Sequence, residues 1–185
     1  HLRLARDLDV LCVHPDDLRD APLPAGRLRE FASSAARADV VLVAEEAGAR
    51  GAWPANDGRV FTLRRRVLGC VALDGSPREA PRQAYLVSGI ARPERFAADV
   101  AALGVNVVGH RAFADHHRFA TDELDRLCAE ARARGADAVL TTAKDAVRLP
   151  PRAWEPPALV LRVAAEVVDA ARFRERLFSA AARAA

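Results

Sequence analysis

Among the 28 basic residues of the chain, Lys144 is the only lysine. It sits in Thr141-Thr142-Ala143-Lys144-Asp145, directly behind the apolar run that ends Val139-Leu140. That order puts its side chain at the carboxyl edge of a sheet, where open α/β folds bind ligands. In a chain that otherwise uses arginine, a compact ammonium suits a phosphate or carboxylate that a planar guanidinium would crowd; the alternative is a surface pair between Lys144 and Asp145. A second cluster, Phe113-Ala114-Asp115-His116-His117-Arg118-Phe119, falls between a predicted strand and a predicted helix. It admits three readings: metal ligation, a polar loop in which Asp115 caps local backbone, or general acid–base chemistry with a carboxylate fixing a histidine tautomer.

Two further segments have chemical potential. Leu23-Pro24-Ala25-Gly26-Arg27-Leu28-Arg29-Glu30 joins a strand to an expected helix and places Arg29 and Glu30 in its first turn. Arg29 can fork onto a phosphate there, against the plainer reading of a solvated Arg-Glu pair at a helix start. Ser88-Gly89-Ile90-Ala91-Arg92-Pro93 is a small-residue turn before a helix, whose backbone N–H groups can face an anion. No Gly-x-x-x-x-Gly-Lys-[Ser/Thr] occurs in the 185 residues, so the chain is expected to lack a P-loop of its own.

The elements that must position these residues are read from periodicity. Strand-length apolar runs lie at Asp9–Val13, Asp39–Val43, Gln83–Val87, Val105–Val108, Ala136–Leu140 and Ala158–Val163, alternating with amphipathic helical stretches. The alternation predicts an α/β fold, three-layer αβα, with a mostly parallel sheet. One helix is expected after a Thr121 cap, with its apolar face at Leu124, Leu127, Cys128 and Ala131 and its stop at Gly135. Others are expected from Pro93 to Gly104 and after Asp169. Residues 47–58 and 74–82 are rich in turn formers, and Arg59–Leu73 between them reads as an extended arm.

Composition bounds the rest. With 51% hydrophobic and 29% charged residues the chain can bury a core, and its net charge of +3 is dispersed, which predicts no nucleic-acid partner. Cys12, Cys70 and Cys128 are expected to be buried reduced thiols in a cytoplasmic protein. No apolar run approaches the roughly 18 residues of a membrane span, so any membrane contact is expected to be peripheral. A first residue His1 and the absence of methionine predict a fragment of a longer protein.

Taken in order, the motifs resemble the tetraacyldisaccharide 4'-kinases, the lipid A 4'-kinases of Gram-negative bacteria. The resemblance is carried by His1-Leu2-Arg3-Leu4-Ala5-Arg6-Asp7-Leu8-Asp9, Leu23-Pro24-Ala25-Gly26 with Leu28-Arg29-Glu30, and Ser88-Gly89-Ile90-Ala91-Arg92-Pro93-Glu94-Arg95-Phe96. It continues in Asp115-His116-His117-Arg118-Phe119 and Thr142-Ala143-Lys144-Asp145-Ala146-Val147. Arg27 and Phe31 stand where the family usually has proline.

The resemblance implies a P-loop NTPase-like fold whose P-loop half is absent. It implies ATP as phosphoryl donor, with ATP and Mg2+ bound mainly by the missing N-terminal part through carboxylates upstream of His1. The acceptor would be the 4'-hydroxyl of a tetraacyl glucosamine disaccharide 1-phosphate, the lipid A precursor, at the cytoplasmic face of the inner membrane. By position, His116 with Asp115 would be catalytic, His116 partnering an upstream aspartate. Arg29, Glu30, Thr142 and Lys144 would serve substrate or phosphate, and no metal ligand would lie within this chain. The expected organisation is a remainder of the kinase lobe over 1–58, an extended β linker over 59–82 and a C-terminal α/β lobe over 83–185. The chain alone would be inactive. The alternative is a non-catalytic α/β ligand-binding module of the sugar-nucleotide half-fold type, and a metal-dependent hydrolase on Asp115, His116 and His117 is a third reading.

Overall fold

Continuous apolar runs bounded by turns become strands buried on both faces, and the runs at 84–87 and 158–161 do this most fully. The structure, a computed structural model, describes residues 6–45, 58–115 and 117–184. It is an α/β fold with a mostly parallel sheet, and it divides into two compact units, His1–Arg66 with Ala165–Ala185, and Val67–Ala164. Two long strands, β3 (Val60–Ala72) and β8 (Ala158–Val167), each run from one unit into the other. The chain passes from one unit to the other after Arg66 and back after Ala164.

In the first unit, β1 (Val10–Val13) pairs parallel with β2 (Val40–Ala44), and β2 pairs parallel with the start of β3, Val41 opposite Val60. Between β1 and β2 the chain forms two short 3₁₀ helices, Pro15–Arg19 and Ala32–Arg37. Val40, Leu42 and Phe61 form a buried cluster capped by Val167, Phe173 and Leu177. Phe173 and Leu177 lie on the C-terminal helix Ala170–Ala184, which starts directly after Asp169.

The second unit contains the remainder of β3, with the two-residue β4 (Pro77–Arg78) antiparallel to it. It also holds β5 (Gln83–Ser88), β6 (Asn106–Ala112) and β7 (Ala138–Thr142). The strand order is β3-β8-β7-β5-β6, and the β8-β7, β7-β5 and β5-β6 pairs are parallel. Alternation along β5 sorts its side chains between two helices. Ala84 and Leu86 pack with Phe96 and Val100 of α1 (Pro93–Ala101), whereas Tyr85 and Val87 pack with Leu124, Leu127 and Ala131 of α2 (Thr121–Ala133). One helix on each face makes this unit the three-layer αβα arrangement expected from the sequence. Gly104 and Gly135, at φ 77° and 72°, stand just past the two helices, where a left-handed residue closes the last turn.

Three local expectations are corrected. Ala120, with no side-chain bond, caps α2, and Thr121 is its first residue. Arg29 and Glu30 lie in bends ahead of a 3₁₀ helix that Phe31 precedes, so they do not open an α-helix. Cys70 and Cys128 are buried, and burial pushes both thiols up, but Cys12 is exposed. No helix of the described residues is long and apolar enough to cross a membrane.

Candidate functional site

Parallel pairing in register brings the carboxyl ends of β5, β6 and β7 to one edge, Ser88 opposite Ala112 and Val87 opposite Thr141. The three loops that leave this edge carry Gly89, the 113–119 cluster and the short helix α3 (Ala143–Ala146). This is the usual ligand edge of a parallel sheet, and here it is filled by a polar network.

Asp145 is at its centre, fully buried at 0% exposure. One oxygen accepts the Gly89 backbone N–H at 3.0 Å and the Thr142 hydroxyl at 2.8 Å, and the other pairs with Arg148. A buried carboxylate is tolerated only when paired and hydrogen-bonded in this way. Thr142 also accepts the Asp145 backbone N–H at 3.1 Å, which makes it the N-cap of α3. The anion that the Gly89 amide faces is therefore the protein's own carboxylate. Gly89 fits because it has no side chain: a Cβ there would stand 3.3 Å from both the Ala114 carbonyl and Asp145 Oδ1 and 3.5 Å from His117 Cβ.

Lys144 does not pair with the adjacent Asp145. Its Nζ lies 2.7 Å from Asp115 Oδ1, across 29 residues of sequence, and both side chains remain substantially exposed at 47% and 39%. Thr142, Lys144 and Asp115 are thus brought to one edge. His116 lies outside the described residues. Its neighbour His117 is engaged by three side chains: Nε2 is 2.7 Å from Glu123, and the ring stacks on Phe113 at 4.4 Å and meets the edge of Phe119 at 5.2 Å. Arg118 is exposed.

Behind the edge, Ser88 is buried and its hydroxyl is 2.9 Å from His110 Nε2. Burial lowers the His110 pKa, so the ring is neutral in the folded protein under conditions where a solvated imidazole would begin to protonate.

Arg29 and Glu30 belong to the other unit, where they help line a cavity of about 620 Å3 together with Arg6, Asp9, Cys12 and Phe31. Both are exposed. Glu30 pairs with Arg37, which holds its carboxyl below the ordinary range, with a smaller contribution from Ser34. Among the described residues, no three side chains of His, Cys, Asp or Glu are grouped to hold a metal ion.

Sequence reasoning missed Asp145 as the buried member of its motif, Arg148 altogether, and the pairing of Glu123 with His117. The signal for the first two was present: an acid and a base three apart at the start of a short helix after a strand fall on one helical face.

The model of the family described as Tetraacyldisaccharide-1-P 4'-kinase matches residues 1–182. A tetraacyldisaccharide 4'-kinase of Anaeromyxobacter sp. (strain Fw109-5) is 41% identical over 187 residues, covering 91% of this chain and 50% of the relative. That of Azoarcus sp. (strain BH72) is 37% identical, covering 96% and 51%, and that of Koribacter versatilis (strain Ellin345) is 32% identical, covering 80% and 44%. The chain spans about half the length of these relatives. The fold is shared with a crystal structure of the "apo" form of LpxK from Aquifex aeolicus in complex with ATP, at TM-score 0.71 and 22% identity, over 95% of this chain and 53% of that one. A family match over nearly the whole sequence, on a fold held in common, leads to one conclusion: the chain belongs to the tetraacyldisaccharide 4'-kinase family.

Proposed function

We propose that this chain is the C-terminal part of an ATP-dependent kinase that phosphorylates the 4'-hydroxyl of a tetraacyl glucosamine disaccharide 1-phosphate in lipid A biosynthesis. The family match over residues 1–182 carries this reading. The strand-end junction supports it, because phosphoryl transfer asks a protein mainly for positioning and charge stabilisation. Lys144, held by Asp115 at the ligand edge yet about half exposed, can turn its ammonium to a phosphate without leaving a buried charge unpaired.

His116 is assigned the acid–base role beside an aspartate outside this chain, with Asp115 next to it. The engagement of His117 with Glu123, Phe113 and Phe119 supports placing that role on its neighbour. Arg29 and Glu30 are assigned to the acceptor or its phosphate. Residues 59–82 act as the extended linker between the lobes. ATP and Mg2+ are assigned mainly to residues outside these 185, a reading supported by the lack of a Gly-x-x-x-x-Gly-Lys-[Ser/Thr] motif in the sequence. Phosphoryl transfer by the chain alone is therefore not expected. The site of action is the cytoplasmic face of the inner membrane, by peripheral contact.

The test is the full-length protein with His116→Ala, assayed for transfer of labelled phosphate from ATP to the lipid disaccharide. The rate should fall by roughly a hundredfold or more while ATP binding is retained. An undiminished rate refutes the role of His116. Failure of the parent protein to phosphorylate the lipid refutes the whole reading, and binding of a sugar nucleotide by the isolated chain would favour a non-catalytic module instead.

A further inference from the structure

Arg148 has no role in the reading above, yet its guanidinium makes four polar contacts at the edge. Nη2 pairs with Asp145 Oδ1 and also donates to the Gly89 carbonyl at 3.2 Å. Nη1 donates to the His117 carbonyl at 3.2 Å, and Nε to the Lys144 carbonyl at 3.4 Å. These acceptors lie on three different loops, the one after β5, the one after β6 and α3 after β7. Asp145 binds two of the same segments from the other side, through the Gly89 N–H and the Thr142 hydroxyl. Gly89 is thus gripped at both its N–H and its C=O by one ion pair.

From this geometry we infer that Arg148 is a positioning residue for phosphoryl transfer, the fork that fixes the histidine loop against the lysine loop through the backbone of His117, Gly89 and Lys144. The inference rests on the kinase reading proposed above. Its physical basis is that backbone carbonyls carry the loop position whatever the side chains do. A planar group with donors in fixed directions can hold three carbonyls and a carboxylate at once, whereas an ammonium cannot reproduce that spread. The carbonyl of His117 lies one residue from His116, and the carbonyl of Lys144 belongs to the residue whose ammonium meets Asp115. A shift of the junction by even about 1 Å displaces both groups together, and displacements of that size typically cost up to about a hundredfold in rate.

The discriminating variant is Arg148→Lys in the full-length protein, because lysine keeps a positive charge for Asp145 but loses the fork. The expected result is a kcat at least about tenfold lower, with the KM for ATP unchanged and the melting midpoint close to that of the parent. Amide hydrogen exchange should rise at Gly89 and through 115–118 but not in β5 or β7. In Arg148→Ala, whose vacated site opens to solvent because the Arg148 side chain is 21% exposed, added guanidinium should restore kcat and added methylammonium should not. An Arg148→Lys protein with parental kcat overturns the inference. So does a variant in which kcat, ATP affinity and melting midpoint fall together, since that describes a fold support and not a positioning residue. A parent protein without kinase activity overturns the functional reading, and the inference as a statement about catalysis. The exchange pattern then still reports whether Arg148 orders the loops, so the two failures are told apart.

Discussion

The junction at the ends of β5, β6 and β7 and the Arg29–Arg37 segment of the first unit are built from the same residue types with opposite economy. In the junction, Asp145 is fully buried, and every oxygen of its carboxylate is occupied. In the segment, Glu30 and Arg37 pair with side chains 50% and 60% exposed, in water and open to salt. An exposed pair can be exchanged for solvent at little cost, whereas a buried one cannot lose a partner without stranding the other. The difference teaches where contacts in this chain are fixed by the fold and where they stay available to a ligand. Asp145 is fixed in place by its buried bonds, with Arg148 against it, while Glu30 with Arg37 and Lys144 with Asp115 pair at the surface.

The strongest way to break this contrast is Asp145→Ala. It strands the Arg148 charge, the Gly89 N–H and the Thr142 hydroxyl, and should lower unfolding stability by about 3–5 kcal/mol in a urea titration. A loss under about 1 kcal/mol would mean that the junction is no more committed than a surface pair.

A smaller effect concerns His110. Its folded-state pKa is lowered by burial, so the unfolded state takes up a proton more readily; its contribution to stability is complete above the ordinary histidine value of 6.5 and declines as pH falls below it. The parent should lose stability on acidification from about pH 7 to pH 5, and His110→Gln should flatten that slope, as thermal melts across this range would register. An unchanged slope removes His110 from the account.

The smallest effect is expected in the other region. Glu30→Gln should leave the melting midpoint where it is in physiological salt. Because Arg37 and then Ser34 lower the Glu30 pKa, whatever the pair contributes is present above the ordinary carboxylate value and disappears only as pH falls through the lowered one. A clear destabilisation at neutral pH would erase the distinction between the two regions.

Much of the fold was legible because its strongest signals are local. The runs around Val40–Val43 and Ala84–Val87 are apolar at every position, as strands covered on both sides must be. Leu124, Leu127, Cys128 and Ala131 repeat with the period of a helix and are the four buried residues of α2. Pro93 marks a helix start because its missing N–H has no partner to lose there.

The candidate site was legible in its motifs but not in its pairings. Lys144 and Asp145 are neighbours in sequence, and nothing local decides which of them turns inward; the choice is made by Gly89 and Arg148, which offer the carboxylate its bonds. The Asp115–Lys144 pair depends on the register of β6 through β5 to β7, a property of the assembled sheet. The segment from Pro15 to Arg37 misled because its strand-to-helix grammar resolves into two 3₁₀ helices and bends, structures without a strong periodic signature.

The division of the chain also sets a schedule for its biosynthesis. Val40, Leu42 and Phe61 leave the ribosome well before Phe173 and Leu177, which cover them. The whole second unit is translated in between. While that unit is being made the cluster keeps an apolar face uncovered, a condition in which nascent chains engage chaperones, and the helix Ala170–Ala184 closes it.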